Sequence, residues 1–274
     1  MFNWWWTRNQ YCEAGVSEWI ESLKQKYSDW NVYYSEKILS ERTTYLNNKE
    51  LLDWLQTSGN KETDLHLAVS VRSFRCEKIA SFVQSLLENQ PEQAKVVFSS
   101  IKNNYPIFLT RNINTAKQWL KQTAKGTERI GIVASSGGRR LRAEGIDVKN
   151  EIDPANWFLN DKDDVRSSYY LEEIATEFDI QGLEIDFTCV AWDINLHHDG
   201  KEWNYQNFKG SKWQNINQDA TKNYLLNSYR VLLTRARQGM IIFIPDVDNS
   251  DKTRTKAFYD QTFEYLQRCG LSEI

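Results

Sequence analysis

Along the chain the spacing of apolar residues changes period several times, and each change marks an element. Trp19, Ile20, Leu23 and Tyr27 recur at helical spacing behind Ser17 and Glu18, which suit a helix cap and first turn. A polar stretch over 35–64 follows and reads as a surface excursion, with one short helical piece around Leu51, Leu52 and Leu55. Beyond it two periods alternate. Residues 65–71 read as a strand, and Ile79, Phe82, Val83, Leu86 and Leu87 form a helical stripe. Residues 105–110 read as a strand, 116–120 lie in a helix, and 130–134 form an unbroken apolar strand. Two further strands are expected over 173–178 and 187–192, and a last one over 240–244. Leu225, Tyr229, Leu232, Leu233 and Ala236 fall on one helix face just before it. Strands alternating with helices predict βαβ units, hence a three-layer α/β domain with a mainly parallel sheet covered on both faces.

Two segments break this rhythm. Residues 137–162 carry charges and a Gly-Gly pair, and 195–219 carry Trp203, Phe208 and Trp213 among Asn, Gln and Lys. The aromatics of the second segment predict an ordered flap. The expected organisation is a remnant and polar linker over 1–64, then the α/β domain over 65–274 with the flap inside it.

Charge and composition narrow the function classes. The 274 residues include 34 Lys+Arg and 37 Asp+Glu, a net charge of −3, which disfavours a tail-driven nucleic-acid binder and leaves room for a local basic face. With 41% apolar residues, 12 Gly and 4 Pro the chain can bury a core, and no apolar run reaches the roughly 20 residues of a membrane helix. Cys12, Cys76, Cys189 and Cys269 form no C-x-x-C pair and MFNWWWTRNQ is no secretory leader, so a reducing cytoplasm and no membrane partner are expected. His197-His198 reads as a solvated loop, not a metal ligand set. Trp4, Trp5 and Trp6 in a row want another surface to cover them, so the start reads as cut from something larger.

The chain has no G-x-x-x-x-G-K-[ST] loop and no apolar strand ending in Asp-Glu, so it is not expected to hydrolyse ATP alone. Ser135, Ser136 and Gly137 end a buried strand with small hydroxyls and open backbone, a pattern suited to gripping a nucleic-acid phosphate, and Arg139, Arg140 and Arg142 follow as a basic cluster. Trp203 and Trp213 are candidates to stack bases, against the alternative that they pack on their own domain. Gln181-Gly182-Leu183-Glu184 joins two strands through a sharp turn, read as lying at the sheet's carboxyl end. Asp179, Glu184 and Asp186 near strand ends raise a nuclease, but Phe187-Thr188-Cys189-Val190 lacks the acidic-x-Lys partner such a site needs.

Three segments carry a resemblance when taken in order: Arg72-Ser73-Phe74-Arg75, Thr176 to Glu184 with its Gln181-Gly182-Leu183-Glu184 end, and Leu232-Leu233-Thr234-Arg235-Ala236-Arg237. They are similar to motifs IV, V and VI in the second RecA-like domain of superfamily 1 helicases. The chain resembles most closely a schlafen-group family of bacterial DNA/RNA helicase-like ATPases, through Tyr105-Pro106-Ile107, Leu109-Thr110-Arg111, Ala134-Ser135-Ser136-Gly137, Trp157-Phe158-Leu159, Asp164 to Ser168 and Tyr229 to Gly239. In that family the region before Glu13-Ala14-Gly15 carries Walker A and B; here MFNWWWTRNQYC stands there, so the chain looks like a C-terminal half whose motor half is lost or separately encoded.

The resemblance implies a RecA-like, P-loop-NTPase-type fold. It implies Arg235 and Arg72 as arginine fingers, with Arg230 and Arg237 assisting. Glu184, Gln181 and Gly182 would lie at the nucleotide, and Thr176 would join Ser135, Ser136, Arg139 and Arg140 on nucleic acid. ATP and Mg²⁺ would bind only with a P-loop-bearing N-terminal half or separate protein, and the polynucleotide partner would be single-stranded DNA or RNA. Guanidinium groups suit the finger role because phosphoryl transfer spreads negative charge over the γ-phosphoryl oxygens. The alternative is a non-catalytic interaction or regulatory module that kept the fold.

Overall fold

A computed structural model describes residues 16–35, 48–62, 65, 74–248 and 250–274. The chain divides into two compact units, Met1–Val71 and Arg72–Ile274. Arg72, the Trp4 to Trp6 run and, apart from Leu65, the strand expected over 65–71 lie outside the described residues.

The first unit contains helices α1 (Val16–Lys26) and α2 (Lys49–Ser58) and a short parallel ladder of β1 (Tyr33–Tyr34) with β2 (Asn60–Lys61). The Asn48 side chain caps α2 by accepting from the Glu50 N–H at 2.9 Å. Ile20, Tyr34, Leu51 and Leu55 form its core, while Trp19 and Tyr27 of the predicted stripe stay exposed.

The second unit is built on six parallel strands: β3 (Ile107–Thr110), β4 (Ile130–Ala134), β5 (Ile174–Thr176), β6 (Ile185–Ala191), β10 (Ala236–Phe243) and β11 (Ser272–Glu273). Their order across the sheet is β11-β3-β10-β6-β4-β5. One face is covered by α3 (Phe74–Leu87), α4 (Pro91–Ser99), α7 (Asp219–Leu233) and α8 (Lys256–Arg268), with Trp157 of the short α6 (Pro154–Leu159). The other face is covered by α5 (Ile113–Thr123) and the 3₁₀ turn Arg139–Glu144. Burial on both faces explains why β4 reads as a continuous apolar run; β6 is equally buried but carries Asp186 and Thr188. Helices α4 and α8 and strand β11 were not anticipated from the pattern. No helix among the described residues is long and apolar enough to cross a membrane.

Gly131 lets the sheet and α6 meet. A Cβ there would lie 2.6 Å from the Trp157 ring, and that ring is fully buried with its indole N–H donating to the Glu173 carbonyl at 3.0 Å. The family-like segment Trp157-Phe158-Leu159 is thus packing machinery in its first residue.

Two expectations are corrected. Helix α7 ends at Leu233, where the Thr234 N–H turns back to the Val231 carbonyl, so Ala236 begins β10 instead of continuing the helix face of Leu225, Tyr229, Leu232 and Leu233. Arg230 sits on the last turn, Arg235 in the connection and Arg237 on the strand. The 195–219 segment is a three-stranded antiparallel meander, β7 (Leu196–His198), β8 (Trp203–Lys209) and β9 (Lys212–Asn215), and His197 and His198 are buried in β7. His198 Nδ1 accepts the Gly200 N–H at 3.0 Å and Nε2 pairs with Asn89 Oδ1 at 2.9 Å, which satisfies a neutral ring.

Two outcomes are expected. Gly131→Ala should lower stability by about 1–3 kcal/mol in urea titrations, since the trapped indole cannot retreat; an unchanged midpoint would contradict that packing. Burial, helped by Arg268, pushes His198 down from 6.5 to about 4. The unfolded chain therefore binds a proton that the folded chain refuses between those values, and stability should fall as pH is lowered through that window. His198→Gln should flatten part of the slope, and an identical pH profile for the variant would exclude His198 as its source.

Candidate functional site

Parallel strands put every connection across the domain, from the carboxyl edge of one strand to the amino edge of the next. Outward from β4 the chain runs to β5, whereas from β6 it runs the opposite way to β10. The crevice between the carboxyl ends of β4 and β6 is therefore a topological switch point, where open α/β sheets bind ligands.

A buried polar network fills that point. The Asn195 Nδ2 donates to Ser135 Oγ at 3.0 Å, and the Tyr229 hydroxyl donates to Asn195 Oδ1 at 2.7 Å and accepts the Asp193 N–H at 3.4 Å. The Tyr259 hydroxyl donates to Asp193 Oδ1 at 2.6 Å, and Asp193 Oδ2 accepts the Arg140 N–H at 2.8 Å. Beside it, Glu177 takes both the N–H and the hydroxyl of Ser136, at 2.8 and 2.7 Å. Burial raises the Glu177 and Asp193 carboxyls above the ordinary range against the pull of these hydrogen bonds. Thr176 lies at the same edge, its N–H and hydroxyl both donating to Asp179 Oδ2.

The loop over 135–141 begins with Ser135, Ser136 and Gly137, whose backbone the sequence pattern predicts to be open. Its N–H groups are instead in use: Ser136 to Glu177, Gly137 to Ser135 Oγ, Gly138 to the Ser135 carbonyl, Arg139 to the Gly137 carbonyl, Arg140 to Asp193 and Leu141 to the Gly138 carbonyl. The Ser135 side chain is buried, so Arg139 and Arg142 are the groups that reach solvent most freely. Arg140 is spent largely within the fold, with its guanidinium on Asp251 and 5.5 Å above the Phe208 ring centroid.

The remaining candidates gather at the opposite edge. Ala236 pairs with Ile185, and the Ile185 N–H donates to the Arg235 carbonyl at 3.1 Å, so Glu184 and Arg235 enter neighbouring strands side by side. Gln181, Gly182 and Glu184 are exposed, and Gly182 has φ of +80°, a left-handed conformation that glycine adopts without strain. Gly182 and Glu184 thus lead into the amino end of β6, not to the carboxyl end expected. The register slips between Ala236 and Gly239, a bulge that brings Arg237 and Gln238 together onto Asp186 Oδ1 at 2.7 and 3.0 Å. Burial alone would raise Asp186, but the Arg129 N–H, Gln238 and Arg237 outweigh it and hold it below the ordinary value. Arg230 is exposed and bonds Asn227 Oδ1 at 2.6 Å.

Sequence reasoning missed Asn195, Asp193, Glu177, Tyr229 and Tyr259 as a unit. A usable signal was present in Asp193 and Asn195, polar residues directly behind an apolar strand. Among the described residues no cluster of His, Cys, Asp and Glu is arranged to hold a metal.

Fold and site together define an open parallel α/β domain with a polar site at each end of its strands. The family model for the Schlafen group 3, DNA/RNA helicase domain matches residues 7–246, and the chain belongs to that family of helicase-like domains. No curated protein and no solved structure matches it.

Tyr229→Phe should cost about 1–3 kcal/mol, because the buried Asn195 oxygen and Asp193 N–H lose their shared partner. Denaturant melts that leave the variant within about 0.3 kcal/mol of the parent would refute the network as a stabilising unit.

Proposed function

We propose that this chain acts as the second, RecA-like motor domain of a helicase-like, nucleic-acid-linked ATPase. Its amino edge faces ATP and Mg²⁺ held by a P-loop-bearing domain or protein, and its carboxyl edge bears single-stranded DNA or RNA. The observation that carries this reading is the entry of Glu184 and Arg235 into adjacent strands at one edge, paired through the Ile185 N–H and the Arg235 carbonyl. A nucleotide against that edge meets a carboxylate suited to ribose or water and a guanidinium suited to the γ-phosphoryl group. The family description and the arginines near the opposite edge support nucleic acid as the second ligand.

Arg235 does its work on charge that grows during the reaction. A planar fork can meet two phosphoryl oxygens at once, which lowers the barrier more than it tightens ground-state binding. Arg235 is half-buried, with Nε and Nη1 shielded from solvent, so its guanidinium has to turn outward to engage the nucleotide. Asp186 holds Arg237 in place beside it through the 2.7 Å pair. Arg230, at the end of α7, adds positive potential at the same edge.

Mixing the chain with a P-loop-bearing partner and measuring phosphate release tests this. Arg235→Ala should lower the stimulated rate by about 10³–10⁵-fold with unchanged circular dichroism. Arg235→Lys should recover little, since a point charge does not reproduce the fork. Full activity of the alanine variant would overturn the assignment.

A further inference from the structure

The connection from β6 to α7 is far longer than a crossover between adjacent parallel strands requires, because it holds the whole β7–β9 meander. Its first part serves the core: Leu196, His197, His198 and Trp203 are buried, and the Trp203 indole N–H donates to the Leu86 carbonyl. Trp203 is therefore unavailable to stack on a base. The β8–β9 hairpin beyond it packs Tyr205 and Trp213 against that core and is otherwise mostly half-buried or exposed.

Two contacts tie this hairpin to the carboxyl edge. Phe208 lies under the Arg140 guanidinium, and Trp213, packed on Phe208 at 5.0 Å, donates its indole N–H to the Thr253 carbonyl at 2.8 Å. The opposite face of the hairpin pairs Lys209 with Lys212 and Asn207 with Gln214. Like charges directly opposite each other repel, and no ion pair among the described residues relieves Lys209 or Lys212. From Trp203 to Asn217 the chain has no acidic residue, although the whole protein is acidic. In the neighbouring 3₁₀ turn, Arg139 and Arg142 are three apart and so share its outer face, both exposed. Arg139 precedes the residue that grips Phe208, and Phe208 precedes Lys209, so the Arg140–Phe208 contact brings the two cationic segments close, with Lys209 and Lys212 on the hairpin face turned away from Phe208.

We propose that the β8–β9 hairpin is a phosphate-contacting arm for single-stranded nucleic acid, with Lys209 and Lys212 extending the track begun by Arg139 and Arg142. This rests on the nucleic-acid part of the function proposed above. Lysines spread on a polar hairpin supply point charges to successive phosphates without reading bases, and the amides beside them hydrogen-bond sugar or base edges in any sequence.

Fluorescence anisotropy of the whole chain with a labelled oligothymidylate, titrated at several salt concentrations, tests the arm. The double variant Lys209→Gln/Lys212→Gln should bind at least about tenfold more weakly at low salt, and its log–log salt slope should shrink by about 1.4, two phosphate contacts at 0.7 each. Equal affinity and slope for parent and variant would overturn the arm. If Arg139→Gln/Arg142→Gln then weakens binding, the nucleic-acid reading survives without the hairpin; if the parent binds no oligonucleotide at low salt, both fall together.

Discussion

A parallel strand cannot be followed by its neighbour unless the chain first returns to the starting edge, and this constraint organises the rest of the second unit. Every segment between two of its strands begins at the carboxyl edge and finishes at the amino edge. Thr176 to Glu184 is the clearest case: Thr176 and Glu177 lie beside the Ser135 loop, and Glu184 lies beside Arg235. Helix α7 spans the same distance, with Tyr229 in the switch-point network and Arg235 just past its last turn. One short loop and one helix thus connect the two polar edges.

The network at the switch point is costly unless complete, because Asp193, Asn195 and Tyr229 are buried and each needs its partners. Completeness fixes the carboxyl edge in one arrangement. It also uses up the backbone donors of the 135–141 loop, leaving Arg139 and Arg142 as its projecting cations. The amino edge is built differently. Its turn at Gly182 is exposed, and at the bulge Arg237 is exposed and Gln238 half-buried.

Much of the fold was legible because burial on both faces of a parallel sheet leaves unbroken apolar runs, and β4 was read at its true bounds. The end of α7 was not, because Ala236 continues the stripe of Leu225, Tyr229, Leu232 and Leu233 while its actual role is to pair with Ile185. Periodicity sees only one element at a time and is blind to a strand partner far away in sequence. Helix α8 buries Tyr259, Thr262, Phe263 and Leu266 at helical spacing, a stripe present in the sequence but diluted by polar neighbours. His197 and His198 misled through residue type: their burial is made possible by Asn89, Gly200 and the Ile194 carbonyl. The candidate residues were found by motif order, and their separation into two edges emerged only from strand register.

The proposed function requires polynucleotide at the carboxyl edge and nucleotide at the amino edge. Photo-cross-linking of a bromouridine-substituted single strand to the chain, with the attached peptides located by mass spectrometry, tests it directly. Adducts are expected within 136–142 and 205–215 and none within 181–184 or 234–238. Adducts concentrated around Glu184 and Arg235, with the Ser136 to Arg142 turn unmarked, would contradict it.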